Sequence, residues 1–334
     1  MTDTLETLSQ RALYSSRPWK ALWEVTHRCN LHCSHCYITP RAEEAPRDDI
    51  ARGLRRAGVL FVALSGGEPL CHPHFAELVE ALRKERLAWR LLTNGTLIDR
   101  GNARFIKEHG ASAVDVSILG TGSTHDRITG VEGSYEAALK GIRYLREEGV
   151  RVFIKHVSFA ANRGQAQAVK ALAGELGCGF ILDTTLVKPA GGYTGDTRPL
   201  TLEETIELYR LIPPEKATSG NLCDEVMCSA GRSTLRVLPD GKVTPCVAFD
   251  VVVGNITDRS FPEDWKKHPF LVRLRRITPQ ELSACTGCEF RELCVRCAGI
   301  AYQATGVLTA PDEHACRKAR ALFSVLQEAR QDQR

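Results

Sequence analysis

The 334-residue sequence has no run of about 18 apolar residues that would cross a bilayer. Its first 20 residues, MTDTLETLSQRALYSSRPWK, hold no apolar segment of the kind a secretory signal needs. A membrane-spanning helix and an exported, disulfide-stapled fold are both disfavoured, and a cytoplasmic location is expected. Charge of one sign is also missing: 44 basic and 40 acidic residues are spread along the chain and leave +4, with no block that would mark a nucleic-acid or membrane surface. No internal repeat and no low-complexity tract occurs, so solenoid and fibrous architectures are excluded as well.

Cysteine, by contrast, is abundant. In a chain expected to sit among reduced thiols, thirteen cysteines read as metal ligands sooner than as disulfides. Cys29, Cys33 and Cys36 fall in CNLHCSHC near the start, while Cys223, Cys228, Cys246, Cys285, Cys288, Cys294, Cys297 and Cys316 fill the last third. Only Cys71 and Cys178 lie between.

With 43% hydrophobic and 25% charged residues, the chain reads as globular and long enough for one large domain and a smaller one. Apolar strand candidates are Ala21–Thr26, Val59–Ser65, Trp89–Leu92, Ala113–Ile118, Val152–Ser158 and Phe180–Leu186. The stretches Phe75–Glu85, Asn102–His109, Tyr135–Glu148 and Gln165–Leu176 carry apolar residues at helical spacing. This alternation predicts an α/β fold, a partial (βα)6 TIM-like barrel. It stops after Thr201–Leu211 at the helix breaker Ile212-Pro213-Pro214. Beyond that point VLPDGKVTPC reads as a hairpin about Asp240-Gly241. The expected organisation is an N-terminal extension over 1–17, the barrel over 18–212 and a small Cys-rich α+β domain over 213–334.

CNLHCSHC follows the first strand directly, and parallel sheets bind ligands at the carboxyl ends of their strands. Two metal readings fit it. A structural zinc would take the three cysteines with His27, His32 or His35 as fourth ligand. A cubane iron–sulfur cluster held by three thiolates would instead leave one iron open to a small molecule. The array Cys285-x2-Cys288-x5-Cys294-x2-Cys297, followed by Cys316 and preceded by Cys228 and Cys246, is dense enough for metal and would by itself suit a pair of zinc knuckles.

Cys29-x3-Cys33-x2-Cys36 resembles the CxxxCxxC motif of the radical S-adenosylmethionine (SAM) superfamily, and Ser65-Gly66-Gly67-Glu68-Pro69, at the end of the second strand, is similar to its GGEP element. The resemblance implies a [4Fe–4S] cluster whose open iron takes the amino and carboxylate groups of SAM. It also implies that Gly66, Gly67 and Glu68 contact the SAM amino group and that Asn94 and Ser117, ending the third and fourth strands, reach its ribose and carboxylate. Read alone, Thr93-Asn94-Gly95 is an ordinary turn and Ser117 a strand end. His35 stands where relatives carry an aromatic residue and would lie along the adenine edge. SILGTGSTHDRITGVEGSYEAALKGI is similar to a further pattern, SLDG…HDxxRG…GSF, but has Leu119 for the usual Asp and Thr129 for the usual Arg. Arg127 is either a substitute two residues away or a solvated helix-entry charge.

The last third resembles the SPASM extension, which implies two auxiliary [4Fe–4S] clusters and three in all. Cys223, Cys228, Cys246 and Cys297 would hold the first, and Cys285, Cys288, Cys294 and Cys316 the second. The spacing departs from several maturases, which have x3 where Cys294 and Cys297 enclose x2. Cys178 is expected to be a small buried hydrophobe. Cys71, two residues after GGEP, is the one candidate catalytic donor.

The resemblance further implies reductive cleavage of SAM to a 5′-deoxyadenosyl radical that takes hydrogen from a substrate, with the auxiliary clusters accepting an electron and flavodoxin or ferredoxin supplying one. The implied substrate is a ribosomally made peptide that is crosslinked or oxidised; the alternative is an oxidoreductase of haem or tetrapyrrole biosynthesis. A zinc-bound scaffold is the reading from a different class. About 17 residues precede the first strand, with no recognisable leader-binding domain. A peptide substrate therefore calls for a separate recognition protein, and the same absence tilts toward the tetrapyrrole alternative.

Overall fold

The computed structural model describes residues 16–39, 44–213 and 228–331. Its body runs β1 (Lys20–Thr26), α1 (Arg47–Ala57), β2 (Phe61–Gly66), α2 (Phe75–Lys84), β3 (Ala88–Thr93), α3 (Arg100–Glu108), β4 (Val114–Ser117), α4 (Ser123–Thr129), α5 (Ser134–Glu147), β5 (Val152–Val157), α6 (Ala166–Glu175) and β6 (Gly179–Asp183). The first six strands pair in parallel, in sequence order, as the expected partial barrel. β5 shows how the alternation works: Val152, Ile154 and His156 are buried against the helices, while the partly exposed Phe153, Lys155 and Val157 alternate with them on the barrel interior. Trp23, Leu64, Leu91, Val116 and Ile154 belong to one main core between sheet and helices. α1 was not among the expected helices. Four arginines and Gly53 dilute its apolar stripe, yet Ile50 and Leu54, one turn apart, are fully buried.

The sheet does not end where the alternation ends. Its nine strands run β6-β5-β4-β3-β2-β1-β7-β8-β9, with β7 (Thr234–Val237), β8 (Lys242–Thr244) and β9 (Gly254–Asn255) coming from the Cys-rich third. β7 lies parallel to β1, Leu22 opposite Arg236, and the Asp240-Gly241 hairpin turns β8 back against it. The expected hairpin is present, but as an extension of the barrel sheet. β1 is thus an interior strand with one neighbour from each side of residue 212.

The remaining helices are α7 (Leu202–Leu211), α8 (Phe261–Lys267), α9 (Pro269–Arg276), α10 (Ala298–Thr305) and α11 (Glu313–Gln331). α7 starts on a capping box, Thr201 Oγ1 accepting from Glu204 N and the Glu204 carboxylate accepting from Thr201 N. α11 packs on α7 through Leu208, Ile212, Ala321, Leu322 and Val325. Among the described residues no helix is long and apolar enough to cross a membrane.

Candidate active site

The three-cysteine loop leaves β1 and is fixed by main-chain hydrogen bonds from three directions. Gly67 N donates to Thr26 O at 2.9 Å and Glu68 N to Arg28 O at 2.8 Å, which ties the loop's entry to the end of β2. His32 N and Ser34 N donate to the carbonyls of Thr129 and Ile128 on α4, at 2.8 and 3.0 Å. Ala190 N, after β6, donates to Cys36 O at 2.9 Å. So close an approach needs glycine: a Cβ on Gly66, at φ +135, would meet Thr26 O at 2.2 Å, and one on Gly67 would meet Arg28 O at 2.3 Å.

The turn after β3 braces the same loop. Asn94 Nδ2 donates to Asn30 Oδ1 at 3.0 Å, and Asn30 Nδ2 donates to Thr96 Oγ1 at 2.8 Å. Glu68 is fully buried, and its carboxylate accepts from the Thr93 hydroxyl (2.8 Å), the Asn94 N–H (2.7 Å) and the Leu70 N–H (3.2 Å). Burial raises its pKa to about 7 against those three donors. The structure places Glu68 behind the site, where it knits β2 to β3, although the sequence reading set it against the cofactor.

Cys29, Cys33 and Cys36 border a cavity of ≈ 610 Å³ at the carboxyl ends of the strands, together with His35, Gly66, Gly67, Asn94 and Ser117. The residues expected to touch SAM are thus gathered around one space, Glu68 excepted. Burial pushes all three thiols up, Cys33 to about 12 with Cys29 and Cys36 adding to the effect. Thiols so placed ionise beside a cation, which suits them to iron. Cys71 sits in a short 3-10 turn, Pro69–Cys71, and is not part of the cavity wall. Cys178 is half-buried and packs against the main core.

The wall of this cavity is electrically balanced. Four adjacent strands present Arg90, Asp115, Lys155 and Asp183, alternating in sign: Arg90 bonds Asp115, and Lys155 Nζ lies 3.5 Å from Asp183 Oδ2. Of these Asp115, Lys155 and Asp183 line the cavity, and Lys155 is the one Lys or Arg among its described lining residues. His35 and His125 line it too, and burial depresses both to about 4, leaving them neutral at pH 7. Leu119 N donates to His125 Nδ1 at 3.1 Å, so the proton of that neutral ring is on Nε2, a buried donor with no protein partner. Leu119 and Thr129, the two departures from the family pattern, both line the cavity. Arg127 donates to the Ala161 carbonyl at 3.1 Å instead and is not on the wall, as a surface charge would be.

A buried network beside the cysteine loop escaped the sequence reading. Glu24 on β1 is fully buried and accepts two hydrogen bonds from Arg236 on β7, at 2.8 and 2.9 Å, and one from Tyr37 Oη at 3.2 Å; His27 Nε2 lies 3.0 Å away. Burial opposes the Glu24 charge, but His27 and Arg236 outweigh it and hold the carboxyl below its usual range. The available signal was a glutamate inside an apolar strand, KALWEVT.

Cys223 lies outside the described residues. Cys228, Cys246 and Cys297 come together around Ala230 and Ala298: burial raises the Cys246 thiol, and the neighbouring Cys228 and Cys297 raise it further. Cys285, Cys288, Cys294 and Cys316 border a separate cavity of ≈ 100 Å³ walled by Leu282, Phe290 and Ala319. Val247, next to Cys246, reaches the wall of the large cavity.

A family model described as the radical SAM superfamily matches residues 23–160, and a second, SPASM, described as an iron–sulfur cluster-binding domain, matches 228–289. The chain is 26% identical over 325 residues to the AdoMet-dependent heme synthase of Oleidesulfovibrio alaskensis, covering 85% of this chain and 83% of that protein. It is 28% identical over 302 residues to the PqqA peptide cyclase of Gluconobacter oxydans, covering 83% and 84%. Its fold matches SuiB of Streptococcus suis, solved with its precursor peptide SuiA, at a TM-score of 0.72 and 18% identity over 94% of this chain and 79% of that one. With the cysteine loop on β1, the glycine pair at the end of β2 and both matches in order along one chain, the protein belongs to the radical SAM superfamily and is a radical SAM enzyme with a C-terminal SPASM domain.

Proposed function

We propose that this enzyme modifies a peptide. Bound at the three-thiol loop, an iron–sulfur cluster and SAM together supply hydrogen-atom abstraction from an unactivated C–H bond. Cys29, Cys33 and Cys36 would hold that cluster, Gly66 and Gly67 leave room beside it, and Leu92, Leu119, Val157 and Leu186 give the cavity apolar walls that limit water. The observation that carries the substrate class is the balanced wall. A haem precursor brings several carboxylates and needs matching cations, yet the described lining offers Lys155 alone, already facing Asp183. A peptide is mostly neutral amides and needs no such excess. The peptide cyclase and the peptide-bound SuiB agree with this reading, while the heme synthase favours the tetrapyrrole alternative.

Two further [4Fe–4S] clusters are part of the proposal, one at Cys228, Cys246 and Cys297 with Cys223, the other at Cys285, Cys288, Cys294 and Cys316. Their grouping around separate spaces supports this partition. Among the described residues no three His, Cys, Asp or Glu groups converge to hold a single ion, an arrangement that suits a wider body better than zinc. A reduced flavodoxin or ferredoxin in the cytoplasm would supply the electron, and a separate protein would present the peptide's leader.

The test is anaerobic reconstitution and metal analysis, followed by incubation with SAM, a reductant and short peptides encoded beside the gene, with iron coproporphyrin III in parallel. About twelve iron per chain and a peptide that loses hydrogen or gains a crosslink are expected. Zinc in place of iron, or conversion of the porphyrin alone, would overturn the proposal.

A further inference from the structure

We infer that Lys155 and Asp183 form a two-point reader for a main-chain amide of the substrate, an inference that rests on the peptide reading above. The two residues end neighbouring parallel strands, Lys155 opposite Ile181 and Asp183 opposite Val157. Both line the cavity, and each side chain stays about one-third exposed, 33% and 34%. The adjacent Arg90–Asp115 pair is closed, with Asp115 only 9% exposed. The Lys155–Asp183 pair is open, at 3.5 Å. Asp183 is also held from behind. Its Oδ1 accepts from Thr185 N at 2.8 Å, and the Thr185 hydroxyl accepts from Lys318 Nζ on α11 at 2.8 Å. That leaves Oδ2 and the ammonium hydrogens of Lys155 directed to the cavity.

An ammonium beside a carboxylate oxygen is complementary to a group that presents an acceptor beside a donor. A peptide amide does so: its carbonyl accepts from Nζ and its N–H donates to Oδ2, with no net charge added to a balanced wall. A propionate has no N–H and would bring a second negative charge against Asp183. The adenine edge of SAM also pairs an acceptor with a donor, so the cofactor is the other source of the same chemistry.

The probe is a mixture of N-acetylated, C-amidated hexapeptides carrying each natural side chain at the centre. Its control is the matched ester mixture, in which an oxygen replaces the central N–H. Retention of both on immobilised, reconstituted enzyme is read by mass spectrometry for the wild type, Asp183→Asn and Lys155→Met, with SAM affinity measured alongside and the cluster absorbance reporting intact folding. The wild type should prefer amide over ester about tenfold, as a hydrogen bond to a charged group allows. Asp183→Asn should bring that ratio near one, Lys155→Met should weaken retention of both mixtures, and SAM affinity should hold within about twofold. An unchanged ratio in Asp183→Asn overturns the inference, as does a tenfold loss of SAM affinity, which would assign the pair to the cofactor. A misfolded Asp183→Asn leaves the ester control in the wild type to decide, with equal retention again negative. If the wild type retains neither mixture the inference fails, and if it retains iron coproporphyrin III instead, the peptide reading fails with it.

Discussion

His156 is turned away from the cavity, fully buried, and its Nδ1–H donates to the Ile118 carbonyl at 2.9 Å while Nε2 has no protein partner. Burial depresses its pKa to about 4, well below the ordinary 6.5. The unfolded chain therefore takes a proton near pH 6.5 that the folded chain refuses until about pH 4. This contribution to stability is complete above pH 6.5 and declines as pH falls toward 4, by roughly 3 kcal/mol. Denaturant midpoints measured across that window should show the decline, and His156→Leu should flatten it. An equal slope in both proteins would contradict the assignment. Individual residues were legible in the sequence where spacing carried the message, as with Cys29, Cys33 and Cys36. Glu24 was not, because a charged side chain in a strand reads as a surface group until its partner, 212 residues away, is in view.

At the scale of the element, β1 and β7 are joined by that partner. Arg236 is 6% exposed and Glu24 0%, and the guanidinium meets both carboxylate oxygens. Removing one member of such a pair leaves an uncompensated charge and costs about 3–5 kcal/mol. Arg236→Met should lose that much in chemical denaturation. The double variant with Glu24→Gln should recover part of it, since the stranded charge is then gone. A loss below about 1 kcal/mol in the single variant would show the pair to be dispensable. The six barrel strands and the helices between them were legible from periodicity. α1 was not, since its buried face is narrow and its backbone at Gly53 runs against Ile256 O, with only 2.1 Å left for a Cβ.

For the molecule as a whole, the Ile212-Pro213-Pro214 break was visible in the sequence, but the continuity of the sheet across it was not. Proline ends a helix locally, whereas strand pairing between β1 and β7 is a long-range choice that no local pattern encodes. A chain ended at residue 212 would expose one edge of β1, leave Glu24 without Arg236 and remove α11 from the apolar face of α7. It should lack a cooperative unfolding transition, checked by circular dichroism against temperature. A soluble fragment melting like the intact chain would show the barrel to be self-sufficient.

From residue 32 to residue 36 the neighbouring elements hold the cysteine loop by peptide groups alone, with the N–H groups of His32 and Ser34 and the carbonyl of Cys36 as attachment points. The side chains of His32 and Ser34 take no part in those attachments. Evolution is therefore free to rewrite these two positions without disturbing the path of the loop, and a lineage can change what greets an incoming molecule while inheriting its metal seat intact.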